Sequence, residues 1–200
     1  MRLLLLRHGE TNWNLQGRCQ GLTDLDLNET GVRQAKEIAW SLKNEGINAI
    51  YSSDLKRALQ TASAINKYHE TKVTVDDDLR ELNHGNLEGR TFEEVRSAFP
   101  EFIQAWRSQP AYLPIPGGES FADVSHRISN SLERICHRYA HQTVLIVSHQ
   151  FPIRAILCKT TGTPLNHYRN FKVDPCDLFL LSYELYKGWN LLNSYDHIYG

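Results

Sequence analysis

Two histidines in this chain each follow an apolar tetrad with one residue between. Leu3-Leu4-Leu5-Leu6 leads through Arg7 to His8, and Val144-Leu145-Ile146-Val147 leads through Ser148 to His149. Two shorter segments, Ala49-Ile50-Tyr51 and Val73-Thr74-Val75, precede Ser52-Ser53-Asp54 with Arg57, and Arg80-Glu81 with His84. Arginine, imidazole and carboxylate gathered in one place suit the transfer of a phosphoryl group. A guanidinium offers paired N–H donors matched to phosphate oxygens and stays charged. A neutral imidazole can attack phosphorus and divide one displacement into two. Arg7 and Arg57 beside His8 would disfavour its protonated form. A carboxylic acid can protonate the departing oxygen and, once ionised, activate water. With so much positive charge on the protein, no metal is required to neutralise the transferring group. The expectation is a site with no metal and no cofactor.

These residues meet only if the segments before them lie side by side. Short buried strands are expected at 3–6, 49–51, 73–75 and 144–147, with an edge strand around Leu178 to Tyr183. Between them run helical patterns. Thr30 is the expected cap of a helix whose stripe is Val32, Ala35, Ile38, Ala39 and Leu42, and Gly46 stops it. Leu55, Ala58, Leu59, Ala62 and Ile65 share one face of a helix from Asp54, and Phe121, Val124, Ile128, Leu132 and Ile135 share one face of a longer helix. A further helix starts at about Pro152, and short ones are expected around Phe92–Phe99 and Phe102–Arg107. Strands alternating with helices predict an α/β fold: a mostly parallel central sheet flanked by helices on both faces. Residues 85–118 form a cap-like excursion. Ligands of such sheets bind beyond the carboxyl ends of the strands, where these polar residues fall.

The bulk properties agree. A length of 200 residues predicts one domain spanning 1–200, able to bury roughly 70% of its unfolded surface. Lys and Arg number 22 against 23 Asp and Glu, a net charge of −1, which argues against capture of nucleic acid or an anionic membrane. Cys19, Cys136, Cys158 and Cys176 include no C-x-x-C pair and no C-x5-R phosphate loop. The apolar start is too short for a signal peptide, and no stretch is long enough to span a bilayer. A reduced, cytoplasmic chain is expected. Three other features read as scaffold. His137 and His141 stand at i, i+4 without Glu or Cys partners, so a solvated helix end is favoured over a metal site. Asp24-Leu25-Asp26 lacks the buried strand that a D-x-D aspartyl nucleophile would follow. Trp106 and Tyr112 flank the cleft entrance and divide evenly between packing and stacking roles.

The motifs in order carry a resemblance. Leu6-Arg7-His8-Gly9-Glu10-Thr11 with Trp13-Asn14 is similar to the R-H-G-E-[ST]-x-W-N signature of the histidine phosphatase superfamily, the phosphoglycerate-mutase-like proteins. Tyr51-Ser52-Ser53-Asp54-Leu55 with Arg57 and Ala58 resembles that family's second-arginine segment. Leu79-Arg80-Glu81-Leu82 with Gly85 and Glu88-Gly89 resembles its acid loop. Pro116-Gly117-Gly118-Glu119-Ser120 and Val147-Ser148-His149 complete the order.

The resemblance implies His8 as the phosphorylated nucleophile, Arg7, Arg57 and His149 as the phosphate pocket, and Glu81 as acid and base. It implies Asn14, Gln20 and Gly21 at the substrate rim, with His84 read as a rim or packing residue. Gln150 departs from the glycine that most relatives carry after Ser-His, which could alter backbone access beside the phosphate. Gly117 follows Glu81 by only 36 positions, a spacing that fits the shorter phosphatase branch better than the cofactor-dependent mutases. Phosphoglycerate mutase is the rival activity. Ser148-His149-Gln150 and Asn170-Phe171-Lys172-Val173-Asp174 look like α-ribazole phosphatases of cobalamin assembly. The implied partner is a small phosphorylated metabolite, with a homodimer as an option.

Overall fold

The computed structural model describes residues 1–184 and 186–195, the last two of these by backbone alone. Its centre is one six-stranded sheet in the order β3-β2-β4-β1-β5-β6. The strands are β1 (Arg2–Arg7), β2 (Ile47–Ser52), β3 (Val73–Val75), β4 (Thr143–Ser148), β5 (Leu178–Glu184) and β6 (Gly188–Tyr195). The first four in that order are parallel, β5 runs antiparallel to β1, and β6 antiparallel to β5.

The apolar runs are continuous because both faces of the sheet are covered. Leu3 and Leu5 of β1, with Val144 and Ile146 of β4, join one apolar cluster, while Leu4, Leu6, Leu145 and Val147 join the other. Successive strand side chains point to opposite faces, so a strand buried on both sides must be apolar at every position. α2 (Glu29–Ser41) and α3 (Lys56–Asn66) cover the second face through Ile38, Ala39, Ala58, Ala62 and Ile65. α6 (Phe121–Arg138) and α7 (Gln150–Thr161) cover the first through Val124, Ile128, Leu132, Ile153 and Ile156. The excursion carries α4 (Phe92–Ala98) and α5 (Pro100–Ser108), and Val95, Ile103, Ala111 and Ile115 tie it into the same cluster as α6. It is continuous with the core.

Four details differ from the sequence expectation. The strand at 178–184 is not an edge: β6 lies outside it, with a sequence, Gly-Trp-Asn-Leu-Leu-Asn-Ser-Tyr, that lacks both a β-branched run and regular alternation. Asn28, not Thr30, caps α2 by accepting from the Gly31 N–H at 2.8 Å, and Val32 points outward, 41% exposed. α3 begins at Lys56 instead of Asp54. α7 begins at Gln150, which leaves Pro152 within the first turn, where its missing N–H costs nothing.

Candidate active site

The parallel register sets the site. β1 and β4 end level, with Arg7 opposite Ser148, and the next N–H, that of His8, donates to the Ser148 carbonyl at 3.0 Å. On the other side of β4, β2 ends with Ser52 opposite Val147, and the Ser53 N–H donates to the Val147 carbonyl at 3.2 Å. His8, Ser53 and His149 therefore leave the sheet together. The loop after β1 is pressed onto α2: a side chain on Gly9 would meet the Gly31 carbonyl oxygen at 2.6 Å, and one on Gly31 the Glu10 oxygen at 2.1 Å. Two facing glycines let this loop pass. The Gly9 N–H then donates to Thr61 Oγ1 at 3.1 Å.

The two imidazoles lie 5.0 Å apart, centroid to centroid, and both are buried. His8 Nδ1 is 2.7 Å from the Gly9 carbonyl oxygen. A carbonyl only accepts, so Nδ1 holds the hydrogen and Nε2 keeps its lone pair. Arg57 Nε lies 3.2 Å from His149 Nδ1 and can only donate, so His149 carries its hydrogen on Nε2. The paired rings thus present opposite faces, one a free lone pair on Nε2 and the other an N–H donor. Burial holds His8 well below the usual imidazole range, with Arg57 and then Arg7 adding to the effect. Burial likewise comes first for His149, ahead of Arg57, His8 and Arg7. The two arginines help, but desolvation leads.

Arg57 is fully buried and anchored by Nη2 to the Gly21 carbonyl at 2.8 Å and by Nη1 to the Thr23 carbonyl at 3.0 Å. Burial lowers its pKa to about 10. Arg7 Nη1 donates to the Val173 carbonyl at 2.7 Å. The Thr11 hydroxyl donates to Gln20 Oε1 at 2.6 Å. Three buried donor atoms here have no partner: Arg7 Nε, His149 Nε2 and Gln20 Nε2. An unmet buried donor costs about 1–3 kcal/mol. Three unmet donors in one place suit an oxyanion. Among the described residues, no group of three or more His, Cys, Asp or Glu side chains is placed to hold a metal ion.

Glu81 is buried, and its carboxylate accepts three backbone N–H groups. Oε1 takes those of Leu82 at 2.9 Å and Phe151 at 3.1 Å, and Oε2 that of Gln150 at 3.0 Å. Two of these N–H groups open α7. His84 stands beside it, its ring 5.6 Å from that of Phe151, its Nδ1 buried without a partner and its pKa lowered by burial. The Gln150 side chain reaches the Val173 carbonyl at 3.3 Å. Asn14 contributes its Oδ1 to the capping box of α1 (Asn12–Leu15), accepting from the Thr11 N–H at 3.0 Å. Gly21 acts through its carbonyl on Arg57.

Several residues that hold this set had no role assigned by sequence, although Glu88 and Glu119 stand inside the family's motifs. Glu88 accepts from the N–H groups of Leu22 at 2.6 Å and Thr23 at 2.9 Å, securing the segment that anchors Arg57. Arg127 of α6 grips the acid loop: Nη1 donates to the carbonyls of Asp78 and Arg80, both at 2.6 Å, and Nη2 to that of Glu81 at 3.0 Å. Its charge is met by Glu119 at 2.8 Å, which also accepts from the Asn83 N–H at 2.9 Å. No local spacing announces these contacts.

Fold and site together define an α/β enzyme that handles a phosphoryl group. The chain belongs to the histidine phosphatase superfamily, branch 1, whose family model matches residues 3–196, and it is a phosphatase. It is 40% identical over 174 residues to phosphoserine phosphatase 1 of Hydrogenobacter thermophilus, covering 87% of this chain and 82% of that one. Among solved structures it is similar to Bacillus stearothermophilus YhfR, with TM-score 0.87, 31% identity and coverage of 95% and 94%. The α-ribazole phosphatase from Shigella flexneri matches with TM-score 0.87, 28% identity and coverage of 96% and 95%.

Proposed function

We propose that this phosphatase hydrolyses the phosphate monoester of a small metabolite through a phosphohistidine at His8, without a metal ion. The observation that carries the reading is the trio of unmet donors, Arg7 Nε, His149 Nε2 and Gln20 Nε2, around an imidazole whose free lone pair is on Nε2. In the first step that lone pair attacks phosphorus and the P–O bond to the alcohol breaks. The departing oxygen takes a proton from Glu81, whose Oε2 has a single N–H partner and so a lone pair to carry it. The Gly9 carbonyl, accepting from Nδ1, stabilises the charged phospho-imidazole. In the second step water attacks phosphorus, the P–N bond breaks, and the water proton passes to Glu81, which resets the acid. The donors that hold the phosphate stay fixed throughout.

Relatives named phosphoserine phosphatase and α-ribazole phosphatase supply two substrates to begin with. Rapid quench in excess EDTA with 32P-labelled substrate tests the mechanism. Acid-labile, base-stable label should appear on the wild type and be absent from His8→Ala. Label that survives acid, or turnover that stops with EDTA and returns with Mg²⁺, would sink it.

A further inference from the structure

Seven described arginines are buried or half-buried, and they divide into two sets. Arg2, Arg18, Arg80 and Arg127 have a carboxylate within 4 Å, from Glu45, Glu94, Asp54 and Glu119. Arg7, Arg57 and Arg154 have no such partner among the described residues. The first two of these surround the phosphate pocket, which explains them. Arg154 remains.

Its place is tied to that pocket. Arg154 stands four residues after Gln150 on α7, so the two share one face of the helix. Its Nε donates to the Phe171 carbonyl at 3.0 Å, while Arg7 Nη1 and Gln150 Nε2 donate to the Val173 carbonyl at 2.7 and 3.3 Å. Phe171 is extended (φ −96°, ψ 111°), and in extended chain the carbonyls of alternate residues face the same way. Arg7, Gln150 and Arg154 therefore form a row along one side of the 171–173 segment, leading away from the phosphate pocket. The row starts where α7 holds Glu81, the side from which a leaving oxygen would depart. The Arg154 guanidinium rests beside the rings of Phe151 and Tyr168, at 5.8 and 5.5 Å from their centroids. Burial lowers its pKa, and Tyr168, Glu81 and Asp174 oppose that through space. A guanidinium anchored through Nε, with its Nη groups open to solvent and no described carboxylate within 4 Å, is placed to take an anion.

We propose that Arg154 is a specificity residue that binds a carboxylate on the alcohol part of the substrate, making phosphorylated hydroxy acids the preferred class. A singly charged group is the match, since one guanidinium serves it where two arginines and two imidazoles serve the phosphate. This rests on the phosphatase reading above. It predicts discrimination between esters that differ at that one group.

The test compares kcat/KM for phosphate release from matched pairs. O-phosphoserine is paired with O-phosphoethanolamine, which lacks only the carboxylate, and 3-phosphoglycerate with glycerol 3-phosphate. The wild type should favour the carboxylated member by roughly 10- to 100-fold, mainly through KM, the range of a charge-assisted hydrogen-bonded pair. Arg154→Gln should bring both ratios close to one, and Arg154→Lys should restore part of the preference. The ratio is the readout, so a general loss of active protein does not imitate it. Ratios near one in the wild type, or ratios unchanged in Arg154→Gln, overturn the assignment while p-nitrophenyl phosphate hydrolysis leaves the phosphatase reading standing. Release from none of these esters removes both.

Discussion

The two ends of the parallel strands make opposite use of charge. At the carboxyl ends, Arg7, Arg57, His8 and His149 are buried, neither arginine has a described carboxylate within 4 Å, and Arg7 Nε and His149 Nε2 have no partner among the described residues. At the amino ends lies a cavity of about 830 Å³, lined by Met1, His137, His141, Lys159 and Trp189 among others. There the cations are answered: Lys159 faces Glu133 at 3.9 Å, and Lys187 faces Glu184 at 2.8 Å. His137 and His141, expected as a solvated helix end, are exposed and line this cavity. Exposed charges in pairs cost little and gain little, whereas buried cations without partners are costly and persist only where something repays them. An anion that visits the carboxyl ends does so.

The largest effect expected from breaking this contrast is at Glu81. Glu81→Gln should slow single-turnover phosphorylation of His8 by roughly 10²- to 10⁴-fold with an alkyl phosphate, the usual worth of general acid catalysis. With p-nitrophenyl phosphate, whose phenolate departs unaided, the loss should be far smaller. His137→Gln at the other end should change neither rate by more than about two-fold. Equal slowing of both esters in Glu81→Gln would make Glu81 a support for the loop and send the search for the acid to His84.

A smaller effect of the same shape should follow from Arg127, which touches no substrate. Its three contacts to the carbonyls of Asp78, Arg80 and Glu81 position the carboxylate of the acid loop. Arg127→Ala should cost about 10-fold with the alkyl ester and less with the aryl ester, in proportion to a misplaced acid. Arg127→Lys, a single point donor, should recover only part. A loss identical for the two esters would mean that Arg127 serves stability alone.

The smallest effect is on stability. His8 and His149 are neutral in the folded state because burial depresses them, whereas in the unfolded chain each takes a proton at about pH 6.5. Below that pH the unfolded chain holds more protons, so stability falls as pH falls, by up to about 1.4 kcal/mol per pH unit for each imidazole. His149→Gln should flatten the fall of urea-unfolding free energy between pH 6.5 and 5.5 by about one imidazole's share. An unchanged slope would mean that His149 is already charged in the fold.

The candidate site was legible because its chemistry sits next to its scaffold in the chain. Arg7 and His8 follow β1 directly, and Ser148 and His149 end and follow β4, so an apolar run with polar residues behind it announces both strand and site. Glu81 was legible from the acid-loop motif, after a strand of only three residues. What stayed hidden depends on distant pairing. Arg127 lies 46 positions from the Glu81 carbonyl it holds, and Glu88 lies 66 from the Leu22 N–H it accepts. β6 escaped because an edge strand needs no apolar alternation, only a neighbour such as β5 to pair with.

By itself the sequence determined the alternation of strands and helices, the burial of both sheet faces and the order of the site residues along the chain. These follow from local patterns of apolar spacing, which a chain carries whatever its partners. Only the tertiary structure decided the sheet order, which proton each imidazole holds, and which arginines go unpaired. Those depend on contacts such as Arg57 with His149, 92 residues apart, and on where Arg154 sits relative to the described carboxylates. Burial and pairing are properties of the assembled neighbourhood, so no residue carries them before the chain folds.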